Sequence, residues 1–356
     1  FALMQFGWMP FLDVLSDRFG RRPIIVLSNF GMALDYAVMA LAPNLVWLLI
    51  GRVVFGITAA NATAASAYVT DVTPPDKRAG AFGMIGAAFG VGFVLGPAIG
   101  GLCGQVDPRL PFWVAGGLSL LNGLYGAVVL PESLPRAQRA VRFAWAKANP
   151  VGSLRLLRRH RELTAIALVT FASSLAGMVM QATWVLYVTY RYHWQPGMTG
   201  ISLAVVGVTS MVTQVFVIGR FVKRFGERVS LFAGIASGAL GLIVCGLAVN
   251  GWWFFAGLIG LCLWGLGPAA GQAIMTRHVT AQEQGELQGA IGSIRGLASL
   301  FGPGIFTTAF AIGIAHDLPG AAWYLGATLL VAAALPVLLR QSFGGESAGV
   351  AAADAA

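Results

Sequence analysis

Apolar stretches of bilayer-spanning length recur along the whole of this chain, separated by short polar breaks. An α-helix needs about 20 apolar residues to cross the hydrocarbon core of a membrane. Such runs fall at 1–15, 23–42, 45–69, 80–103, 111–130, 164–189, 199–219, 229–249, 252–275, 288–313 and 321–339. Only 10% of the 356 residues are charged and 57% are hydrophobic. A soluble domain carries about 25% charged residues. A water-facing surface cannot be built here, so a soluble enzyme is excluded and an all-α polytopic membrane protein is expected.

The formal net charge is +9. On a soluble chain that balance points toward nucleic acid. Here the basic residues sit in loops between apolar runs, where they set topology, so no nucleic-acid partner is expected. The loops on one side carry 19 Lys and Arg residues and those on the other carry 2, Arg109 and Arg191. The positive-inside rule makes the first side cytoplasmic. Eleven spans in this orientation put the N-terminus outside. The reading therefore places one further span ahead of Phe1, giving twelve spans with both termini of the complete protein inside.

The longest hydrophilic stretch, 131–163, holds eight basic residues and two acids, Glu132 and Glu162. It separates an N-terminal half (1–130) from a C-terminal half (164–340), which is followed by a tail (341–356). The halves match at an offset of 206. Asp13–Arg22 aligns with Gly219–Arg228, Trp47 with Trp253, and Gly96-Pro97 with Gly302-Pro303. Three matches at one offset argue for two six-helix halves. A parallel repeat of this kind is an architecture of secondary transporters.

Chemistry-bearing motifs are sparse. None of the three lysines follows a glycine, so GxxxxGK[ST] is absent, and with it an ATP-binding phosphate loop. HExxH is also missing. The glycine pairs Gly90/Gly92 and Gly265/Gly267 sit in apolar runs and read as helix-packing glycines. Cys103, Cys245 and Cys262 lie in or beside apolar runs and read as packing residues. The histidines (His160, His193, His278, His316) have no ligand spacing, so no metal site is expected.

The strongest positive signal is Leu15-Ser-Asp-Arg-Phe-Gly-Arg-Arg22, an acid among three arginines with a turn glycine. It resembles the signature between the second and third spans of the major facilitator superfamily. Gly51-Arg52 with Gly56 resembles the arginine motif of the fourth span. Gly92-Phe-Val-Leu-Gly-Pro-Ala-Ile-Gly-Gly101 resembles the fifth-span motif of drug/proton antiporters, and Asp71-Val-Thr-Pro-Pro-Asp-Lys-Arg-Ala79 the preceding loop. Ala2-Leu-Met-Gln5, Leu34-Asp-Tyr36, Trp184-Val-Leu186 and Glu283-Gln-Gly-Glu-Leu-Gln-Gly289 are similar to the tetracycline-efflux subfamily. The resemblance covers nearly the whole chain. It implies a major facilitator fold of two six-helix halves, with the first helix of the twelve missing from this chain.

The residues themselves supply reasons. Gly92, Gly96 and Gly100 are four apart and form a smooth face for close helix approach, and Pro97 removes a backbone bond and bends its helix. Ionisable residues inside spans are costly and functional by default; here they are Asp35, Arg52 and Arg295. Asp35 lies 8 residues before Pro43 and Arg52 lies 8 after Asn44, so the two share a depth. Two partners are open to Arg52: Asp35, or a carboxylate on the span ahead of Phe1. Arg295 serves either substrate or a helix contact.

From the resemblance follow the roles. Asp17, Arg18, Gly20, Arg21, Arg22 and Asp71 form a cytoplasmic gate that engages the start of the family's eleventh span, here near Leu287–Gly289. Gly92, Gly96, Pro97, Gly100 and Gly101 form the antiporter motif. Asp35 is a proton-sensitive carboxylate tuned by Arg52. Gln181, Trp184, Gln214, Gln272 and Arg295 are candidate substrate contacts, with helix packing the alternative for each. Two departures stand out. Asp13 replaces the glycine that opens the loop motif, which loosens the packed interface there. Ser210 and Ser237 stand where tetracycline transporters carry a His and an Asp.

The implied function is export of a small amphipathic, tetracycline-like drug in exchange for protons, by alternating access in a bacterial inner membrane. The implied protein acts as a monomer, is no enzyme and binds no cofactor. The proton gradient supplies the energy, and a divalent metal enters only chelated to a tetracycline. The alternatives are a symporter or exporter of another metabolite, or a non-transporting membrane sensor.

Overall fold

The computed structural model describes residues 2–58, 61–74, 77–135, 139, 161–277, 279 and 284–339, and the regular elements among them are all helical. In chain order these are α1 (Ala2–Phe19), α2 (Arg21–Leu41), α3 (Leu45–Thr58), α4 (Asn61–Val72), α5 (Arg78–Val106) and α6 (Leu110–Val128). Then come α7 (Arg161–Tyr192), α8 (Pro196–Val212), a π turn (Thr213–Ile218) and α9 (Gly219–Leu247). The last four are α10 (Gly251–Leu263), α11 (Leu266–Arg277), α12 (Gln284–Ala315) and α13 (Ala321–Leu339). Among the described residues, six helical stretches are long and apolar enough to cross a membrane, and Leu45–Thr58 and Ala321–Leu335 are shorter apolar helices.

The apolar runs lie on helix, with three informative departures. The expected loop at 13–22 is helical on both sides of Gly20, which turns the chain alone at φ 110. The expected loop at 220–228 is likewise helical except at Gly226, with φ 81. Only glycine takes such positive φ without strain. The third departure is the run 252–275, which breaks at Trp264-Gly265 into α10 and α11. Gly265 therefore marks a helix break, whereas Gly267 packs against Gly234.

The chain forms two compact units, Phe1–Leu154 with Val188–Met211, and Arg155–Tyr187 with Val212–Ala356. In the first unit α2 packs on α6, α3, α4 and α1. The α2–α6 crossing is close because α6 presents glycines. A Cβ at Gly116 would lie 3.2 Å from Tyr36, and one at Gly126 would lie 3.3 Å from Val26. Asn122 donates to Asn29 Oδ1 at 2.9 Å across this crossing. α8 joins the first unit through α5. A Cβ at Gly200 would stand 2.5 Å from the Pro97 carbonyl oxygen and 2.9 Å from Gly101 Cα.

In the second unit α9 is the central helix. Its small residues admit neighbours to backbone distance: a Cβ at Gly241 would be 2.7 Å from Leu261 N, and one at Gly238 would be 2.6 Å from the Trp264 ring. Trp184, Tyr187, Phe254 and Trp323 form a buried aromatic cluster. Trp184 and Phe254 meet edge to face at 4.9 Å, and the Tyr187 hydroxyl donates to the Cys245 carbonyl at 2.9 Å. Lipid offers no hydrophobic gain for helix association, so such packing supplies the cohesion, with each aromatic pair contributing about 0.5–1.5 kcal/mol.

The 206-residue repeat is also present in the backbone. Gly20 and Gly226 are the positive-φ glycines among the described residues. Asn44 accepts from Trp47 N at 3.4 Å, and Asn250 accepts from Trp253 N at 3.1 Å. Pro97 and Pro303 each sit inside a helix.

Candidate functional site

The charged signature assembles where α1, α2 and α4 end. Arg21, at the first position of α2, donates through Nη1 to Asp17 Oδ1 at 2.6 Å and through Nε to Asp71 Oδ2 at 3.2 Å. The same Nη1 reaches Ser16 Oγ at 3.2 Å. Arg22 turns the other way and donates to the carbonyls of Gly126 and Ala127, capping the C-terminus of α6. Cations are favoured at helix C-termini. Arg18 is exposed and lies over the Phe19 ring at 5.5 Å. The Asp13 side chain lies outside the described residues.

Two members of this cluster carried no expectation. Glu132 Oε1 accepts from Arg21 N at 2.9 Å and from Leu134 N at 3.1 Å. It places a carboxylate on the positive end of α2, where it is stabilising. Ser133 donates to Asp71 Oδ2 at 3.1 Å. Gly20 has a double reason to be glycine: its φ is 110, and a Cβ there would collide with the Glu132 carboxylate. Glu132 lies 111 positions from Arg21, and no local sequence pattern links the two.

Within α2, Asp35 is fully buried and pairs with Arg52 of α3. Of the two partners open to Arg52, the structure shows Asp35. The guanidinium also lies over the Phe55 ring at 5.1 Å. Asp35 Oδ1 and Arg52 Nε have no hydrogen-bond partner among the described residues. The carboxylate is therefore held from one side only.

The glycine-proline motif of α5 behaves differently from its expected face. Among the described residues, a Cβ at Gly92, Gly96 or Gly100 would meet nothing within 4 Å. The close approach runs instead through Gly101 and the Pro97 carbonyl, both against Gly200. Proline removes the donor for the Phe93 carbonyl, which lies 3.2 Å from the Cβ position of Gly207, and Gly101 lies one position round from the 92/96/100 stripe.

Of the candidate substrate contacts, Gln272 and Arg295 come together. They line a cavity of about 310 Å³ in the second unit, with Thr170, Ser173 and Ser174 of α7 and Trp264 at the α10–α11 break. Ligand pockets start near about 300 Å³. Gln181 and Gln214 are exposed, on α7 and in the π turn, and neither lines this cavity. Trp184, a candidate for either substrate contact or helix packing, is enclosed in the aromatic cluster at 2% exposure. Ser237 donates to the Gly260 carbonyl at 2.9 Å and so serves helix contact.

The second unit also repeats the Arg21–Asp71 pair with its charges exchanged. Glu227 stands at the position of Arg21 plus 206 and Arg277 at that of Asp71 plus 206. They pair at 2.8 Å.

The comparisons with known proteins converge. The family model described as Major Facilitator Superfamily matches residues 1–303 and 166–350. Tetracycline resistance protein, class C, of Escherichia coli is 41% identical over 340 residues, covering 96% of this chain and 85% of that protein. Tetracycline resistance protein, class G, of Vibrio anguillarum is 38% identical over 346 residues, covering 96% and 86%. Among solved structures, the nucleoside transporter NupG superposes with a TM-score of 0.76 at 13% identity, over 95% of this chain and 88% of that one. At that identity the likeness shows the fold alone.

Proposed function

The chain belongs to the major facilitator superfamily, and from that membership we propose that it exports a small amphipathic, tetracycline-like drug in exchange for protons. The observation that carries this reading is Asp35, a carboxylate fully enclosed within a membrane-spanning helix and held by Arg52. A buried intramembrane acid is costly, and proton relays are one of the settings in which such acids are kept. The relatives named for tetracycline resistance support the drug as the cargo.

In this reading the protein is a multi-pass protein of the bacterial inner membrane with both termini cytoplasmic. It works as a monomer, by alternating access of two halves, with no bound cofactor. The gradient drives uphill movement, and protonation of Asp35 weakens its pairing with Arg52 and shifts the balance of conformations. A divalent metal would cross as part of a chelated drug.

The test uses everted membrane vesicles from cells producing the chain. Tetracycline accumulation should appear on imposing a pH gradient and collapse when an uncoupler dissipates it. Equal accumulation in vesicles with and without the chain would overturn the export reading.

A further inference from the structure

The 206-residue repeat matches the two charged clusters position by position, and their charge balance differs. Each acid that meets Arg21 in the first unit has no acid as its counterpart. Lys223 stands at the position of Asp17 plus 206, Arg277 at that of Asp71 and Leu338 at that of Glu132. From Gly219 to Arg228 the chain therefore carries Arg220, Lys223, Arg224 and Arg228 against one acid, Glu227. Glu227 is already taken by Arg277 at 2.8 Å. Among the described residues none of the four cations has an acidic partner, and all four are exposed.

Their surroundings are those of a membrane boundary. Val212, Val215 and Phe216, at the end of α8 and in the π turn, are exposed and apolar, and the cations follow directly. Arg220 donates through Nη1 to the Phe216 carbonyl at 2.7 Å and lies over the Phe216 ring at 5.9 Å. Arg224 lies over the exposed Phe225 ring at 5.5 Å, and Phe225 in turn meets Phe221 at 4.6 Å. Aromatic rings and the basic residues of short loops gather at the membrane–water interface. A guanidinium has five N–H donors, so Arg220 keeps donors beyond the one spent on its helix. Guanidinium forks pair bidentately with phosphate, and basic clusters beside a span attract anionic lipid.

We propose that this stretch is a docking surface for the headgroup of an anionic phospholipid. Arg220 and Arg224, four residues apart and so neighbours on one face of α9, take the phosphate. Lys223 and Arg228 add to the field, and the acyl chains lie along Val212, Val215 and Phe216. A zwitterionic lipid is disfavoured because its ammonium group meets four cations. The first unit has no equal surface, since Asp17 and Asp71 occupy Arg21 and the α6 carbonyls occupy Arg22.

The experiment is native mass spectrometry of the full chain, delipidated in detergent and titrated with phosphatidylglycerol or phosphatidylcholine of identical acyl chains. The first phosphatidylglycerol should bind at least fivefold more tightly than the first phosphatidylcholine. Arg220→Gln with Arg224→Gln should abolish that preference and leave phosphatidylcholine within twofold. Arg220→Lys with Arg224→Lys keeps the charge and loses the fork, so it should retain part of the preference. It also guards against a variant that fails to insert. Arg109→Gln, outside the stretch, should change nothing. Inorganic phosphate should not displace phosphatidylglycerol when compared with chloride at equal ionic strength; displacement would make this a free-anion site and overturn the lipid assignment. Equal affinity for the two lipids, or a preference that survives the glutamine pair, would show that these cations set topology alone.

Discussion

The carboxylate of Asp35 lies against Gly51, one residue before its partner Arg52. A Cβ at Gly51 would stand 2.7 Å from Asp35 Oδ1, closer than non-bonded atoms settle. The glycine thus makes the space and the arginine fills it with charge. The Gly-Arg pair on α3 is a seat for the acid of α2, and each residue has a separate physical task.

Asp35→Asn keeps the shape and loses the titrating group. Export driven by a pH gradient should fall at least tenfold in everted vesicles, while downhill exchange of labelled drug continues. Gly51→Val should give the same uncoupling with the carboxylate still present, because the added side chain displaces it. Wild-type accumulation in both variants would place the coupling acid elsewhere.

Glu132, just past the first half, should matter to the charged cluster around Arg21 as much as the arginine signature does. Glu132→Gln removes the charge from the α2 N-terminus, a loss of about 0.3–1 kcal/mol for a macrodipole interaction. It should raise the labelling rate of a cysteine placed at Arg18, as Asp17→Asn should. Gly20→Ala should be worse, because a non-glycine residue at φ 110 and ψ 160 costs about 1–3 kcal/mol and its Cβ meets Glu132. Glu132→Ala should relieve part of that cost, so the double variant should be less impaired than the sum of the singles. Strict additivity of the two variants would show that Gly20 and Glu132 do not interact.

Much of the helical order could be read from the sequence because lipid leaves the backbone few choices, and apolar length marks each span. The repeat was legible for the same reason as Gly20 and Gly226: positive φ restricts the residue type. The Asp35–Arg52 pair was half legible, its depth from the spacing about Pro43-Asn44 and its partner only from the structure. What escaped was long-range. Glu132 and Arg21 are 111 positions apart, and no local pattern links them. The seam at Gly101 escaped because a stripe of three glycines spaced four apart selects a face but names no neighbour. Trp264 escaped because a break inside an apolar run changes neither length nor hydropathy.

The α5–α8 seam gives a sharp contrast between neighbouring glycines. Gly200→Val would drive a side chain into the Pro97 carbonyl, 2.5 Å from the Cβ position. It should reduce both the yield of folded protein and transport severalfold. Gly96→Ala, with nothing described within 4 Å of its Cβ, should stay within twofold of wild type on both measures. The reverse ranking would move the seam to the 92/96/100 face.

The asymmetry of basic residues sets a topology that reporters can read. A reporter fused after Arg340 should signal from the cytoplasm, and one inserted at Gln195 should signal from outside. Swapped signals would invert every assignment of a side to a loop, that of the Arg21 cluster included.

The exchanged pair of the second unit can be tested by exchanging it back. Glu227 and Arg277 meet at 2.8 Å, but Arg277 is 75% exposed, and exposed ion pairs contribute about 0–1 kcal/mol. Their removal should therefore leave stability nearly unchanged. If the pair works as the counterpart of Arg21–Asp71, its influence should appear in conformation instead. Glu227→Arg alone sets two cations face to face, and Arg277→Asp alone sets two carboxylates together. Each single change should alter the labelling of cysteines on neighbouring helix ends and lower transport severalfold. The double variant restores attraction with the polarity of the first unit and should recover most of both. Recovery would show that the sign of the pair is free and only its attraction is required. Normal transport in the single variants would show that the pair holds no conformation at all.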